Sequence, residues 1–179
     1  MPADAALTGE MVALVDALEA AGFQPVLVGG MALVILGSRR VTQDFDFVVP
    51  RPAPSAAALV ETMYRRGLAL VTKFTPQGDV LRTVDNPKVA ALKVDGERPD
   101  SLPFFSRETG LRVDLLLDFP LSSRDLVGRS VSVPVLSSRV RIASAPDLLR
   151  LKEIAHADRK SATDASDLEF LRTLVKRGR

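Results

Sequence analysis

Apolar positions recur at helical spacing across residues 8–21, at Met11, Leu14, Val15 and Leu18, with Gly22 placed as a C-cap. Residues 25–28 form a short apolar run that reads as a buried strand. Residues 31–36 are apolar throughout, and the glycines on both sides favour a buried helix there. Residues 44–49 read as a strand, ended by the proline-rich stretch 50–54. Ser55 then caps a helix to Arg66, closed by Gly67. Further strands are predicted at 68–73, 80–85, 90–94, 112–117 and 131–141, the last broken near Ser137 and Ser138. The polar segment 95–109 reads as a loop free to move. Ser144-Ala145-Pro146-Asp147 reads as a capping box with proline in the first turn, opening a helix to about Asp158. Ser161-Ala162-Thr163-Asp164 repeats the pattern and starts a last helix to about Lys176. The mixture predicts an α/β (α+β) fold with a mixed sheet, helices flanking it and a C-terminal helical hairpin. The expected organisation is a core over 1–142 with a helical segment 143–179 packed on it as one compact unit.

Composition narrows the chemistry. The chain has 179 residues, 24 basic and 22 acidic, for a net charge of +2, too small to establish nucleic-acid binding. There is no cysteine, which excludes a disulfide scaffold and thiolate chemistry, and His156 is the only histidine, which excludes a histidine-rich zinc site. Neither a signal peptide nor a membrane-spanning run is legible, so a cytoplasmic protein without a membrane partner is expected.

The candidate chemistry lies in the stretch VLVGGMALVILGSRRVTQDFDFVV, residues 26–49. On a strand, residues i and i+2 share a face roughly 6.5–7 Å apart. Asp44 and Asp46 therefore point together, and Phe45 and Phe47 point the other way into a core. Hard carboxylate oxygens suit Mg²⁺ together with a substrate phosphate. The segment Arg112-Val113-Asp114-Leu115-Leu116-Leu117-Asp118 carries another acid within an apolar strand. Asp114 beside Asp44 and Asp46 would complete a three-carboxylate site able to hold two metals roughly 3.5–4 Å apart. Asp118 shares that face if the strand persists, but Phe119-Pro120 points to its end, so Asp114 is favoured. Gly29 and Gly30 permit close backbone approach of a phosphate, or make a plain structural turn. Lys152 and Arg159, seven apart, share a helix face that meets phosphates or simply solvent. Arg39, Arg40 and Thr42 have ordinary surface and strand-edge readings. Asp164 fits the acid of a capping box, and His156 has no acid–base role. Tyr64 and the phenylalanines read as core, since aromatic and basic residues do not interleave along the chain.

Gly29-Gly30, thirteen residues, Asp44-Phe45-Asp46 and then Asp114 resemble the nucleotidyltransferase superfamily, whose minimal members carry a Gly-Gly or Gly-Ser turn, Asp-x-Asp and a distant third Asp. Gly37, Arg40, Thr42, Asp44 and Asp46 resemble the Gly…Arg-x-Thr-x-Asp-x-Asp run of its AbiEii-like branch, the nucleotidyltransferase toxins of type IV toxin–antitoxin systems. Ala145-Pro146-Asp147-Leu148-Leu149 to Asp167-Leu168 resembles the helical segment of that branch, with Lys152, Arg159, Asp164 and Asp167 in matching places. The resemblance implies a minimal nucleotidyltransferase fold and transfer of a nucleoside monophosphate from an NTP with release of pyrophosphate. It implies Mg²⁺, with Mn²⁺ as a substitute, on Asp44, Asp46 and Asp114, the last helping to deprotonate the acceptor hydroxyl. Gly29, Gly30, Arg40, Thr42, Lys152 and Arg159 are the nucleotide- and phosphate-binding residues it implies. It implies the tRNA acceptor end as acceptor and a cognate antitoxin as partner. A protein hydroxyl, an aminoglycoside-like molecule, or an inactive binding or antitoxin module are the alternatives. The C-terminal Arg172, Lys176, Arg177 and Arg179 suit RNA and suit a solvated tail equally.

Overall fold

The computed structural model describes residues 2–159 and 162–178, with side chains described for 5–157 and 162–178. The chain runs α1 (Pro2–Ala20), β1 (Val26–Val28), α2 (Gly29–Ile35), β2 (Asp44–Val49), α3 (Ala57–Arg65), β3 (Ala69–Phe74), β4 (Val80–Thr83) and α4 (Pro87–Glu97). It continues through β5 (Ser101–Phe105), β6 (Arg112–Leu117), α5 (Ser123–Arg129), β7 (Val131–Val135), β8 (Ser138–Ile142), α6 (Ala145–Arg159) and α7 (Ala162–Lys176). The strands form one mixed sheet in the order β4-β3-β5-β6-β2-β1-β8-β7. This is the expected α/β fold with a mixed central sheet and a helical hairpin at the end.

Burial of one face of each element organises it. Phe45, Phe47, Phe104, Met11, Leu14, Leu18, Leu59 and Met63 are among the largest fully buried side chains of one continuous core. Leu148 from α6 and Leu171 and Leu174 from α7 join that same cluster, so the C-terminal hairpin shares the core of the sheet. Each such side chain contributes roughly 1.5–3 kcal/mol on leaving water. Tyr64 ties α3 to the sheet, its hydroxyl donating to the Val84 carbonyl and accepting from the Leu70 amide at 3.2 Å.

Three segments differ from their sequence reading. Residues 90–94 are not a strand but the middle of α4. Asn86 caps that helix by accepting from the Lys88 and Val89 amides at 2.9 and 3.4 Å, and Pro87 occupies the first turn. Its buried Ala90, Ala91 and Val94 follow helical spacing, so cap and proline outweighed a short apolar run. The supposed loop 95–109 contains β5, which lies between β3 and β6. Its Ser-Leu-Pro-Phe-Phe sequence hides the strand, because proline argues against an interior position. The strand over 131–141, read as broken near Ser137 and Ser138, is two strands paired as the β7–β8 hairpin, with Val135 opposite Ser138 at its turn.

Caps also come from across the fold. Ser55 accepts from the Ala57 amide at 3.1 Å, but α3 is held chiefly by Asp95 of α4. Asp95 accepts from the Ala56 amide and from the Ser55 hydroxyl, both at 2.7 Å. These hydrogen bonds, led by Ser55, hold the Asp95 carboxyl below its usual range. Asp95→Ala is expected to lower stability by about 1 kcal/mol, the cost of losing an N-cap. The loss should be read in urea unfolding at pH 7 and should shrink as the pH falls through the carboxylate range. An unchanged midpoint at pH 7 would show that the contact carries no weight.

Candidate active site

Register places the acids. β2 and β6 are parallel neighbours, with Asp46 opposite Asp114 and Asp44 opposite Arg112. Strands so paired lie roughly 4.8 Å apart. Phe45 and Phe47 are 1% and 0% exposed, so the alternation turns Asp44 and Asp46 away from the core as predicted. All three acids line one cavity of about 530 Å³. Gly29, Gly30, Arg40, Thr42, Lys152 and Asp164 line it as well, and Leu116, Phe119, Leu148, Leu151 and Ile154 form its apolar wall.

Electrostatics mark this cavity as unusual. The Asp46 carboxyl is pushed up to about 7, first by burial and then by the charges of Asp114 and Asp44. Lys152 and Arg40 pull the other way and do not compensate. Asp114 is also raised, by burial and by Asp44, with Arg112 opposing. At about 1.4 kcal/mol per unit, the Asp46 shift corresponds to a few kcal/mol held against the charged form. Among the described residues no three carboxylate or imidazole groups close into a ready-made metal cage. The donor set nonetheless fits a divalent cation: hard oxygens, mutual repulsion, and too little positive charge nearby to relieve it.

The two glycines have a specific steric role. Gly29 has φ +67°, and a Cβ there would lie 2.0 Å from Asp46 Oδ2. A Cβ on Gly30 would lie 2.6 Å from Arg40 Nε. The Gly-Gly turn thus seats a carboxylate and a guanidinium directly against the backbone where α2 begins. Arg40 Nη1 donates to Asp167 Oδ2, while its buried Nε has no hydrogen-bond partner among the described residues. Asp167 also pairs with Lys152 Nζ at 2.9 Å, and Lys152 pairs with Asp164 at 3.0 Å. Asp164 and Asp167 are buried, so the pair of acids orients both cations at the edge of the cavity.

The structure therefore brings together Gly29, Gly30, Arg40, Thr42, Asp44, Asp46, Asp114 and Lys152. The Arg159 side chain lies outside the described residues, as does Ser161 of the expected capping box. Arg39 is exposed. Asp118 is not in the cavity; it accepts from the Arg51 amide at 2.8 Å and the Ser123 amide at 2.9 Å, which ties the turn after β6. His156 is half-buried, and its Nδ1 has no partner among the described residues. The structural role of Asp164 and Asp167 is larger than a cap. Their i, i+3 spacing on one helix face was the available signal. At the start of α6, Ser144 does cap the Asp147 amide at 3.3 Å, but the Asp147 carboxylate is taken by Arg129 through two bonds of 2.9 Å.

Two predictions follow from this geometry. Gly29→Ala is expected to lower stability by roughly 1–2 kcal/mol from its left-handed backbone alone, and to displace Asp46, abolishing Mg²⁺-dependent NTP binding. Calorimetric titration of nucleotide with and without Mg²⁺ checks this, and wild-type binding would refute it. The second concerns pH. Folded protein keeps the Asp46 proton up to about 7, whereas an unfolded chain releases it near 3.8. Stability therefore falls as pH rises between those values, and the full penalty is present above 7. Asp46→Asn should melt above wild type at pH 8, with the difference closing below about pH 4, and added Mg²⁺ should raise only the wild-type melting temperature. A variant less stable than wild type at pH 8 would contradict this.

No protein-family model and no curated protein sequence matches the chain. Solved structures do resemble it. An antigenic nucleotidyltransferase-like protein from Paracoccidioides brasiliensis superimposes with a TM-score of 0.60 at 15% identity, covering 94% of this chain and 76% of that one. The antibiotic-resistance factor ANT(2'')-Ia gives 0.63 at 10% identity, covering 96% and 85%. The lincosamide antibiotic adenylyltransferase LnuA, solved with lincomycin, gives 0.58 at 11% identity, covering 92% and 95%. At these identities the likeness is one of fold, and the chain has the fold of nucleotidyltransferase-like proteins.

Proposed function

We propose that the protein is a metal-dependent nucleotidyltransferase that moves a nucleoside monophosphate from an NTP to an acceptor hydroxyl. The observation that carries the reading is Asp46 opposite Asp114 at a cavity wall, with Asp44 adjacent and the Asp46 carboxyl pushed up to about 7. A divalent cation, Mg²⁺ or Mn²⁺, held by Asp44, Asp46 and Asp114, would supply the positive charge that a triphosphate and these acids both need.

The chain's own residues do the rest. The Gly29-Gly30 turn lets donor phosphates approach the Asp46 carboxylate and the Arg40 guanidinium. Arg40 Nε, without a hydrogen-bond partner among the described residues, offers a buried donor to a phosphate oxygen. Thr42 and Lys152 line the same cavity, and Arg159 follows Lys152 on α6. Asp114, its carboxyl raised, accepts the acceptor hydroxyl proton. The oxygen attacks the α-phosphorus, the bond from the α-phosphorus to the bridging oxygen breaks, and pyrophosphate leaves. Rate comes from positioning and charge neutralisation, as in other phosphoryl-group transfers.

In this reading the acceptor is the 3′ end of tRNA, and the protein is an AbiEii-like toxin restrained by a cognate antitoxin in the cytoplasm. The Gly…Arg-x-Thr-x-Asp-x-Asp run and the α6–α7 pattern support it. Residues 1–142 form the catalytic core, and 143–179 contribute Lys152. A small-molecule acceptor is the second reading. It is favoured by the fold shared with ANT(2'')-Ia and LnuA and by the apolar cavity wall.

The test is incubation with each labelled NTP, Mg²⁺ and separate pools of tRNA, protein and antibiotics. Label on tRNA, lost in Asp46→Ala by at least 100-fold (about 2.7 kcal/mol), is the expected result. Label on an antibiotic or protein alone moves the acceptor to that class. Absence of label in every pool, with no Mg²⁺-dependent NTP binding, rejects the enzyme reading. No helix among the described residues is long and apolar enough to cross a membrane.

A further inference from the structure

The acceptor has to approach Asp114 from outside the donor cavity, and the sheet continues beyond it. Arg112 lies two residues before Asp114 on the same face of β6, opposite Asp44. Its guanidinium sits 6.0 Å from the centre of the Phe105 ring, and Nη1 donates to the Gly78 carbonyl at 3.1 Å. Its nearest acid, Asp79, is 3.8 Å away and largely exposed, so the pairing is weak. Arg112 is thus held in place by an aromatic ring and a backbone carbonyl, with its charge still 39% exposed beside Asp114.

Gly78 and Asp79 form the tip of the β3–β4 hairpin, whose surface has an unusual makeup. Lys73 and Arg82 are direct cross-strand partners. Like charges so placed repel each other, and among the described residues neither has an acidic partner. Phe74, next to Lys73, is 43% exposed on this edge hairpin. Arg107 reaches the same hairpin through Thr83 at 3.4 Å. The sequence shows no interleaving of aromatic and basic residues, but the fold sets one up, because β3 and β4 pair Lys73 with Arg82 and β5 pairs Phe105 with Arg112.

We infer that the β3–β4 hairpin and Arg112 form the acceptor-strand subsite and take single-stranded RNA. Phosphodiesters lie along Lys73, Arg82 and Arg112, and the strand end is led to Asp114. The inference rests on the nucleotidyltransferase reading and names the residues that select its acceptor. It disfavours a polycationic drug, which Arg112 and the Lys73–Arg82 pair would repel.

The test uses a short fluorescein-labelled single-stranded oligoribonucleotide, followed by anisotropy across a salt series. Wild type should bind with a salt-dependent affinity. Lys73→Gln with Arg82→Gln should weaken binding at least tenfold and reduce the log–log salt slope by about 0.7 per lost contact. Arg112→Gln should raise the KM for RNA acceptor tenfold or more, with Mg²⁺-NTP affinity close to wild type. Salt-independent or undetectable RNA binding by wild type, or unchanged binding by the double variant, overturns the subsite. So does an Arg112→Gln variant whose defect lies in NTP affinity. Mg²⁺-NTP binding is measured on the same wild-type sample: its presence with the RNA results negative rejects the subsite alone, and its absence rejects the nucleotidyltransferase reading with it.

Discussion

Repulsion among Asp44, Asp46 and Asp114 is the constraint to which the rest of the fold answers. Parallel pairing of β2 with β6 fixes Asp46 opposite Asp114, and burial removes the water that would screen them. A chain selected for stability alone would not keep this arrangement, since neutral side chains there would relieve the strain. The core carries the cost. Phe45 and Phe47, alternate to the acids on the same strand, are buried completely, so the strand that pays the penalty is also one of the most firmly anchored.

Positive charge is close at hand yet withheld. Arg40 and Lys152 line the same cavity as the acids, and Asp164 and Asp167 hold them there. This division keeps the cations oriented without neutralising Asp46, which leaves the site ready for a ligand that brings both metal and phosphate. Gly29 and Gly30 allow the packing, because a side chain at either would occupy the space of Asp46 or Arg40. Asp167 joins the C-terminal hairpin to the turn before β2, so the geometry of the site depends on the docking of α7 as much as on the sheet.

The parts of this that were legible in the sequence are those set by local pattern. Asp44 to Val49 and Arg112 to Leu117 emerge as strands with the predicted boundaries, because period-two alternation and flanking breakers are local signals. The shared face of Asp44 and Asp46 followed from the same alternation, whereas Asp114 joins them only through the pairing of β2 with β6. Tertiary contributions were not legible. Asp95 caps a helix 39 residues away, and Asp167 holds Arg40, 127 residues away. The i, i+3 spacing of Asp164 and Asp167 was the one local signal, and it does not name their partners. Strand β5 was hidden by Pro103, and α4 was mistaken because a short apolar run has no period of its own, although Asn86-Pro87 marked its start. The basic surface of Lys73, Arg82 and Arg112 arises only when the β3–β4 hairpin and β6 are set in one sheet.

The most direct test of the central claim is a crystal structure of the protein with Mn²⁺ and a non-hydrolysable NTP analogue, using the anomalous signal of manganese. The account predicts an anomalous peak among the carboxylates of Asp44, Asp46 and Asp114, with the triphosphate against Gly29-Gly30 and Arg40. A nucleotide bound elsewhere, or manganese absent from these three carboxylates while the analogue is bound, would contradict it.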